Sequence, residues 1–156
     1  MITIHQLLIL LVHLLSLSNH TVAADIVTIT VPETKIYAGK SAEIRISIEV
    51  KEGYHIQAHS VDDEFLIPTT LEVSGDERII MTKQIFPKPK KFKLEGTKKN
   101  LNVYDGSFDI NVVFKPQKNI QKGKYSIDAK LHYQACDSGR CLFPKTIDFI
   151  IELEII

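Results

Sequence analysis

The chain has 156 residues, with 19 Lys and Arg balanced by 19 Asp and Glu, and 44% of its residues are hydrophobic. This length suits one globular domain and excludes a large multidomain enzyme. A net charge of zero lacks the basic excess that binding to a phosphate backbone requires, so nucleic acid is not an expected partner.

The chain begins with a short apolar run, Leu7 to Leu17, which is followed by small residues at Ala23 and Ala24. This order is typical of a secretory signal peptide, and we predict residues 1–24 to be a signal peptide that is cleaved after Ala24. The run is shorter than the roughly 20 residues that span a bilayer, and no second run of membrane length follows. We therefore expect 25–156 to be a soluble, exported domain without a membrane span.

Alternation of apolar and polar residues dominates 25–156, and no stretch keeps a helical period over three turns. Alternation is typical of half-buried strands, and several short strands separated by glycines are typical of an all-β, immunoglobulin-like antiparallel β-sandwich. A barrel is the alternative. The predicted strands, in chain order, are 26–31, 43–50, 54–58, 70–74, 78–86, 108–114, 125–135 and 145–155.

The long interruption at 87–103 carries two prolines and six lysines and shows no pattern of its own. We expect a loop here. A connection of this length is often functional, but a solvated surface loop has the same composition.

Cys136 and Cys141 are the only cysteines, and they enclose the turn-forming residues 137–140. We expect 124–155 to form a hairpin with a short loop, so that the two cysteines face each other at its mouth and form a disulfide in an exported protein. Closing a loop of about six residues stabilises a fold by only about 2 kcal/mol, against nearly 5 for a loop of about 100 residues. Local, exposed disulfides are the more easily reduced ones, so a redox pair and a structural bridge both stay open.

The strand phase bears on the position of these cysteines. The apolar face of 125–135 falls on odd numbers, which directs Cys136 to the opposite, polar face. The alternation of the outgoing strand would place Cys141 on the core side. Because two bridged cysteines must share a face, the alternation must shift between them. Pro144 cannot donate a ladder hydrogen bond, and we predict a bulge or break at 142–144.

The sequence Tyr133-Gln134-Ala135-Cys136, with Cys141 and Pro144, resembles the N-terminal periplasmic domain of DsbD, the thiol:disulfide interchange protein, and the stand-alone disulfide bond corrector proteins. Three further segments agree, and together the resemblance covers nearly all of 25–156: Gly53-Tyr54-His55-Ile56, Phe86-Pro87-Lys88-Pro89 and Val103-Tyr104-Asp105-Gly106.

The resemblance implies an immunoglobulin-like periplasmic domain in which Cys136 and Cys141 shuttle between dithiol and disulfide. It also implies electron transfer to disulfide isomerases and cytochrome-maturation proteins of the periplasm. In the family a loop caps the cysteines; the corresponding segment here is the lysine-rich connection, with Phe92 as the candidate shielding aromatic. No cofactor is implied, and Tyr133, Gln134, Arg140 and Pro144 are the candidate supporting residues.

This chain departs from the family in two ways. The spacer between the cysteines has four residues and is shorter than in the membrane-linked relative, and Phe143 stands where a proline is common. The chain ends at Ile156 without a transmembrane part or a thioredoxin-like domain. We therefore expect a separate membrane thiol-reductant transporter and thioredoxin-like proteins as partners.

In the expected reaction, one cysteine attacks a partner disulfide as thiolate and the other resolves the mixed disulfide. Arg140 beside Cys141 would favour a thiolate there, whereas Asp137 beside Cys136 would oppose one; ordinary turn residues are the alternative for both. Tyr133 either packs under the cysteines or ends a core face.

Other candidate sites are weak. His55 and His59 have a helical metal spacing in a strand region, so no metal site is expected. The acidic run 62–64 is expected to be a solvated loop.

Two other functions remain open. One is an exported immunoglobulin-like binding module with a purely structural disulfide, and the other is a partner-docking subunit in cytochrome maturation.

Overall fold

The computed structural model describes residues 19–96 and 100–156, and within these residues it contains thirteen strands and no helix. Each of the eight predicted strands is confirmed within a few residues: β2 (Val27–Pro32), β4 (Ala42–Val50), β5 (His55–Gln57), β6 (Thr70–Ser74), β7 (Ile79–Ile85), β10 (Ser107–Pro116), β11 (Gly123–Tyr133) and β13 (Lys145–Ile155). Five further strands were not predicted: β1 (Asn19–Ala23), β3 (Thr34–Ile36), β8 (Lys90–Lys93), β9 (Asn100–Tyr104) and β12 (Ala135–Cys136).

Two sheets enclose the main core. One has the order β1-β2-β4-β10-β7 and the other the order β3-β13-β11-β6, and every pair is antiparallel except β13 with β3. Alternate residues of β4 and β11 are buried and meet in one cluster because successive side chains of a strand point to opposite faces. The immunoglobulin-like sandwich is thus confirmed.

A third sheet, in the order β12-β5-β9-β8, carries the cysteines. A tight turn leads into it from β4, with Tyr54 N–H bonded to the Lys51 carbonyl at 3.1 Å and Gly53 at φ 85°. A side chain other than glycine would be strained at this φ. One face of the sheet adds Ile56 and Tyr104 to the main core.

The lysine-rich connection is not the patternless loop that we expected. Strands β8 and β9 form an antiparallel hairpin, here called the cap hairpin, and β9 continues the sheet by pairing with β5. Residues 97–99 lie outside the described residues. The alternation was missed because β8 is almost all lysine and its pairing depends on β9.

The predicted 124–155 hairpin is confirmed, but its loop is not short. The β11–β13 ladder ends at the pair Tyr133 and Lys145, and residues 134–144, here called the cysteine loop, leave it. Residues 142–144 belong to no strand, which confirms the predicted break. A second break at Gln134 was not predicted; it lets β12 join the third sheet, so the cysteines do not sit at the mouth of the hairpin.

The predicted signal peptide stays a prediction, since its apolar run lies outside the described residues. Residues 19–23 form the edge strand β1, which pairs with β2; cleavage after Ala24 would remove it and make β2 the edge. Over 19–96 and 100–156, no helix is long and apolar enough to cross a membrane.

Candidate functional site

Cys136 and Cys141 form a disulfide whose Cα atoms lie 3.9 Å apart. Backbone hydrogen bonds hold the loop on both sides of it: Asp137 N–H donates to the Arg140 carbonyl at 2.9 Å, and Leu142 N–H to the Ala135 carbonyl at 2.7 Å. Strand β12 is fixed in turn by its pairing with β5. The loop conformation therefore does not depend on the sulfur–sulfur bond alone.

The two cysteines differ in exposure. Cys136 is 0% exposed, whereas Cys141 is partly exposed. The prediction that Cys136 points to a polar face is wrong. The cap hairpin covers that face, and its Leu101 and Val103 form a small second core with Cys136. Alternation correctly placed Cys136 opposite Ala135, which lies in the main core.

Phe92 belongs to this second core. It is partly buried against the cluster that contains both cysteines, together with Leu66 and Leu94. Its ring stacks on His55, with centroids 3.9 Å apart and an interplanar angle of 26°. At the end of the hairpin, Glu95 N–H donates to the Ser138 carbonyl at 2.9 Å, which joins the cap hairpin to the cysteine loop.

Gln134 connects three segments at the break between β11 and β12. Its Oε1 accepts from Ile67 N–H at 3.0 Å, and its Nε2 donates to the Leu142 carbonyl at 3.1 Å. Its own carbonyl accepts from Gln57 N–H at 2.9 Å. The side chain thus ties the loop before β6 to the cysteine loop.

Gln57 was not identified from the sequence, although its side chain forms hydrogen bonds to both sulfurs of the disulfide. Its Nε2 lies 3.1 Å from the Cys136 sulfur and 3.6 Å from the Cys141 sulfur. The side chain is 0% exposed. The signal available was a polar residue inside a strand, two positions from His55 and thus on the same face.

The charged turn residues face each other. Arg140 Nε lies 3.5 Å from Asp137 Oδ2, and Asp137 Oδ1 accepts from the backbone N–H groups of Gly139 and Arg140, each at 2.9 Å. Those backbone hydrogen bonds hold the pKa of Asp137 below its usual range. This is the geometry of a turn, and the carboxylate and guanidinium offset each other's charge.

Tyr133 packs in the main core, whereas Cys136 lies in the second one. Burial raises the pKa of Tyr133, and the charge of Asp25 raises it further. Within the described residues its hydroxyl has no hydrogen-bond partner. The position fits the last large residue of a core face.

A groove of about 650 Å³ borders Cys141, the more exposed cysteine. Pro144 and Arg140 line it, and Phe143 beside them is 92% exposed. Phe65, at 82%, is also exposed and lies two residues before Ile67, which is bonded to Gln134. Apolar side chains thus stand free in the segments that flank the disulfide.

The two histidines of the predicted β5 region do not converge. His55 stacks on Phe92 and His59 on Phe86. Over the described ranges, no group of three or more His, Cys, Asp or Glu side chains is placed to hold a metal ion.

A known protein family matches most of the chain. The family described as "Thiol:disulfide interchange protein DsbD, N-terminal" matches residues 27–152. The chain belongs to this family. No curated protein matches the chain.

One solved structure of similar fold is a periplasmic domain. The N-terminal periplasmic domain of ScsB from Proteus mirabilis has a TM-score of 0.61 at 14% identity, covering 89% of this chain and 52% of that one. The chain thus spans about half the length of the ScsB domain in that structure. The reduced DsbD N-terminal domain of Neisseria meningitidis has a TM-score of 0.44 at 17% identity, covering 73% of this chain and 79% of that one.

Proposed function

We propose that the chain is an exported thiol–disulfide exchange domain that relays reducing equivalents through Cys136 and Cys141 to disulfide-bearing partners in the periplasm. The observation that carries the proposal is the asymmetry of the disulfide, in which Cys136 is fully buried in an apolar cluster and Cys141, partly buried against the same cluster, borders a groove. Membership of the DsbD N-terminal family supports it.

The asymmetry assigns a role to each cysteine. A partner thiolate attacks the Cys141 sulfur, the sulfur–sulfur bond breaks, and its electron pair leaves with the Cys136 sulfur. A second partner thiol then releases the reduced pair. In the outward direction, the Cys141 thiolate attacks a partner disulfide, and Cys136 resolves the mixed disulfide and regenerates the bridge.

The partners that fit this reaction are periplasmic thioredoxin-like proteins or disulfide isomerases, with a separate membrane thiol-reductant transporter as the source of electrons. Cytochrome maturation is one process that would consume these electrons. The cysteine pair itself carries the two electrons, so the reaction needs no further cofactor. Export depends on the signal peptide at 1–24.

The cap hairpin would control access. With Phe92 packed against the cluster of the two cysteines, small thiols reach the disulfide slowly, and a docking partner displaces the ring. The exposed Phe143 and Phe65 would provide apolar contact area for that partner.

The test is the reduction potential of the pair in the folded protein, measured by equilibration in glutathione buffers. Exchange proteins fall between roughly −120 and −270 mV, and a value in that range supports the relay. A value below about −300 mV would instead mean a structural bridge and favour the binding module.

A trapping experiment tests the assigned roles. Cys136→Ala leaves Cys141 without its resolving partner, and we expect it to accumulate a mixed disulfide with an oxidised thioredoxin-like protein. Cys141→Ala leaves only the buried thiol and serves as the matched control that does not accumulate one. Equal trapping by both variants would contradict the assignment.

A further inference from the structure

Gln57 presents an amide to the disulfide from a fixed position. Its backbone N–H donates to the Gln134 carbonyl at 2.9 Å, and its own carbonyl accepts from the Thr69 hydroxyl at 2.5 Å. The side chain is fully buried, and its Nε2 lies 3.1 Å from the Cys136 sulfur. The donor is therefore in place before any reaction begins.

The surroundings of Cys136 make such a donor necessary. Leu101 and Val103 pack against this sulfur, and no solvent reaches it. An apolar environment disfavours a thiolate, and a poorly stabilised leaving thiolate slows disulfide exchange. The reaction of the proposed function nevertheless places negative charge on this atom.

The amide itself gives a second indication. Its Oε1 has no hydrogen-bond partner in the described part of the chain. A buried amide with an unpaired acceptor destabilises a fold, and an apolar side chain of similar size would avoid that cost. The acceptor thus contributes no hydrogen bond at this position, and what the glutamine side chain adds is the contact of its Nε2 with the two sulfurs.

We propose that Gln57 is a catalytic residue whose side-chain N–H stabilises the sulfur anion leaving at Cys136; this inference rests on the proposed function. When a thiolate of a partner dithiol forms a bond to the Cys141 sulfur, the bridge breaks and its electron pair moves to Cys136. A neutral disulfide sulfur is a weak acceptor and a thiolate a strong one, so the hydrogen bond strengthens as charge develops. The longer distance to Cys141, 3.6 Å, directs this effect to Cys136.

The neighbouring elements also carry charged and titratable groups, and these groups stay unchanged when Gln57 alone is replaced. They lie on β5, on the cap hairpin and its ends, and in the cysteine loop: His55, Lys90, Glu95, Asp105, Asp137 and Arg140. A difference between variants at Gln57 therefore isolates the amide.

The experiment uses the single-thiol variant Cys141→Ser, in which the ultraviolet absorbance of the Cys136 thiolate is followed against pH. Gln57→Met keeps the length of the side chain and removes the donor. A hydrogen bond to a charged group predicts that the midpoint rises by about one to two pH units. Gln84→Met is the matched control, since this glutamine of β7 donates to the Leu71 carbonyl at 2.8 Å; its midpoint should not move.

A rate measurement in the intact cysteine pair gives the second readout. Opening of the disulfide by dithiothreitol at neutral pH should slow roughly three- to tenfold in Gln57→Met. Gln57→Glu keeps size and polarity but replaces the donor with a carboxylate, and it should raise the midpoint at least as far. If Gln57→Met does not fold, Gln57→Leu, which also removes the donor without adding a charge, decides the matter.

An unchanged midpoint in Gln57→Met, or in Gln57→Leu if Gln57→Met does not fold, would overturn the inference whatever Gln57→Glu shows. Neither readout involves a protein partner. Failure to exchange with thioredoxin-like proteins, with the midpoint still shifted, would therefore refute the proposed function, whereas the stabilisation of the Cys136 thiolate by Gln57 would still hold.

Discussion

Reduction of the disulfide should leave the domain folded. The bridge closes a loop of about six residues, for which the chain-entropy relation gives about 2 kcal/mol of stabilisation. Backbone hydrogen bonds at Asp137, Leu142 and Gln57 hold the same loop without the bridge. Since domains of this size are stable by about 5 to 15 kcal/mol, the reduced form keeps a positive free energy of unfolding.

The assay is urea unfolding followed by circular dichroism, because the chain has no tryptophan. With a slope of about 2 kcal/mol per molar, the midpoint should fall by about 1 M on reduction with dithiothreitol. The double variant Cys136→Ala/Cys141→Ala should show a similar midpoint and no response to dithiothreitol. A loss above about 5 kcal/mol, or loss of the cooperative transition, would refute this reasoning and make the bridge a structural staple.

Two further predictions concern the cap and the turn. Phe92→Ala removes a partly buried ring that contributes roughly 1.5 kcal/mol to cap closure, so dithiothreitol should reduce the disulfide about tenfold faster. Tyr37→Ala, which removes an exposed ring, is the control and should not change that rate. The lowered pKa of Asp137 means that its ionised form stabilises the fold above the ordinary value of 3.8, and this contribution is lost as pH falls through the lowered value. The free energy of unfolding, measured in urea between about pH 5 and about pH 2, should therefore fall more steeply with decreasing pH for the native sequence than for Asp137→Asn. Parallel curves of this free energy against pH would contradict the prediction.

Alternation was enough to find the strands that build the main core. Strands such as β4 and β11 bury every second residue against the opposite sheet, so their sequences carry the period. Strands β3 and β12, with three and two residues, are too short to show any period. Strand β8 buries little, and its sequence reads as a solvated loop.

The site was predictable only in part. The cysteine pair and the break at 142–144 followed from spacing and strand phase, and the resemblance pointed to Phe92. The phase also directed Cys136 away from the main core, but it could not show what lies on the other side. Burial of Cys136 and the amide of Gln57 both depend on the cap hairpin and β5, which the fold brings to the cysteines from distant parts of the chain.

The contact between the cap hairpin and the cysteine loop has a consequence for how this region can diverge. Glu95 N–H and the Ser138 carbonyl are both main-chain groups, so the bond survives replacement of either side chain. Proline at 95 is the substitution that abolishes it, because proline has no N–H to donate. Both positions are therefore free to vary in charge and size among relatives that keep a closed cap, and libraries that alter partner choice can begin there.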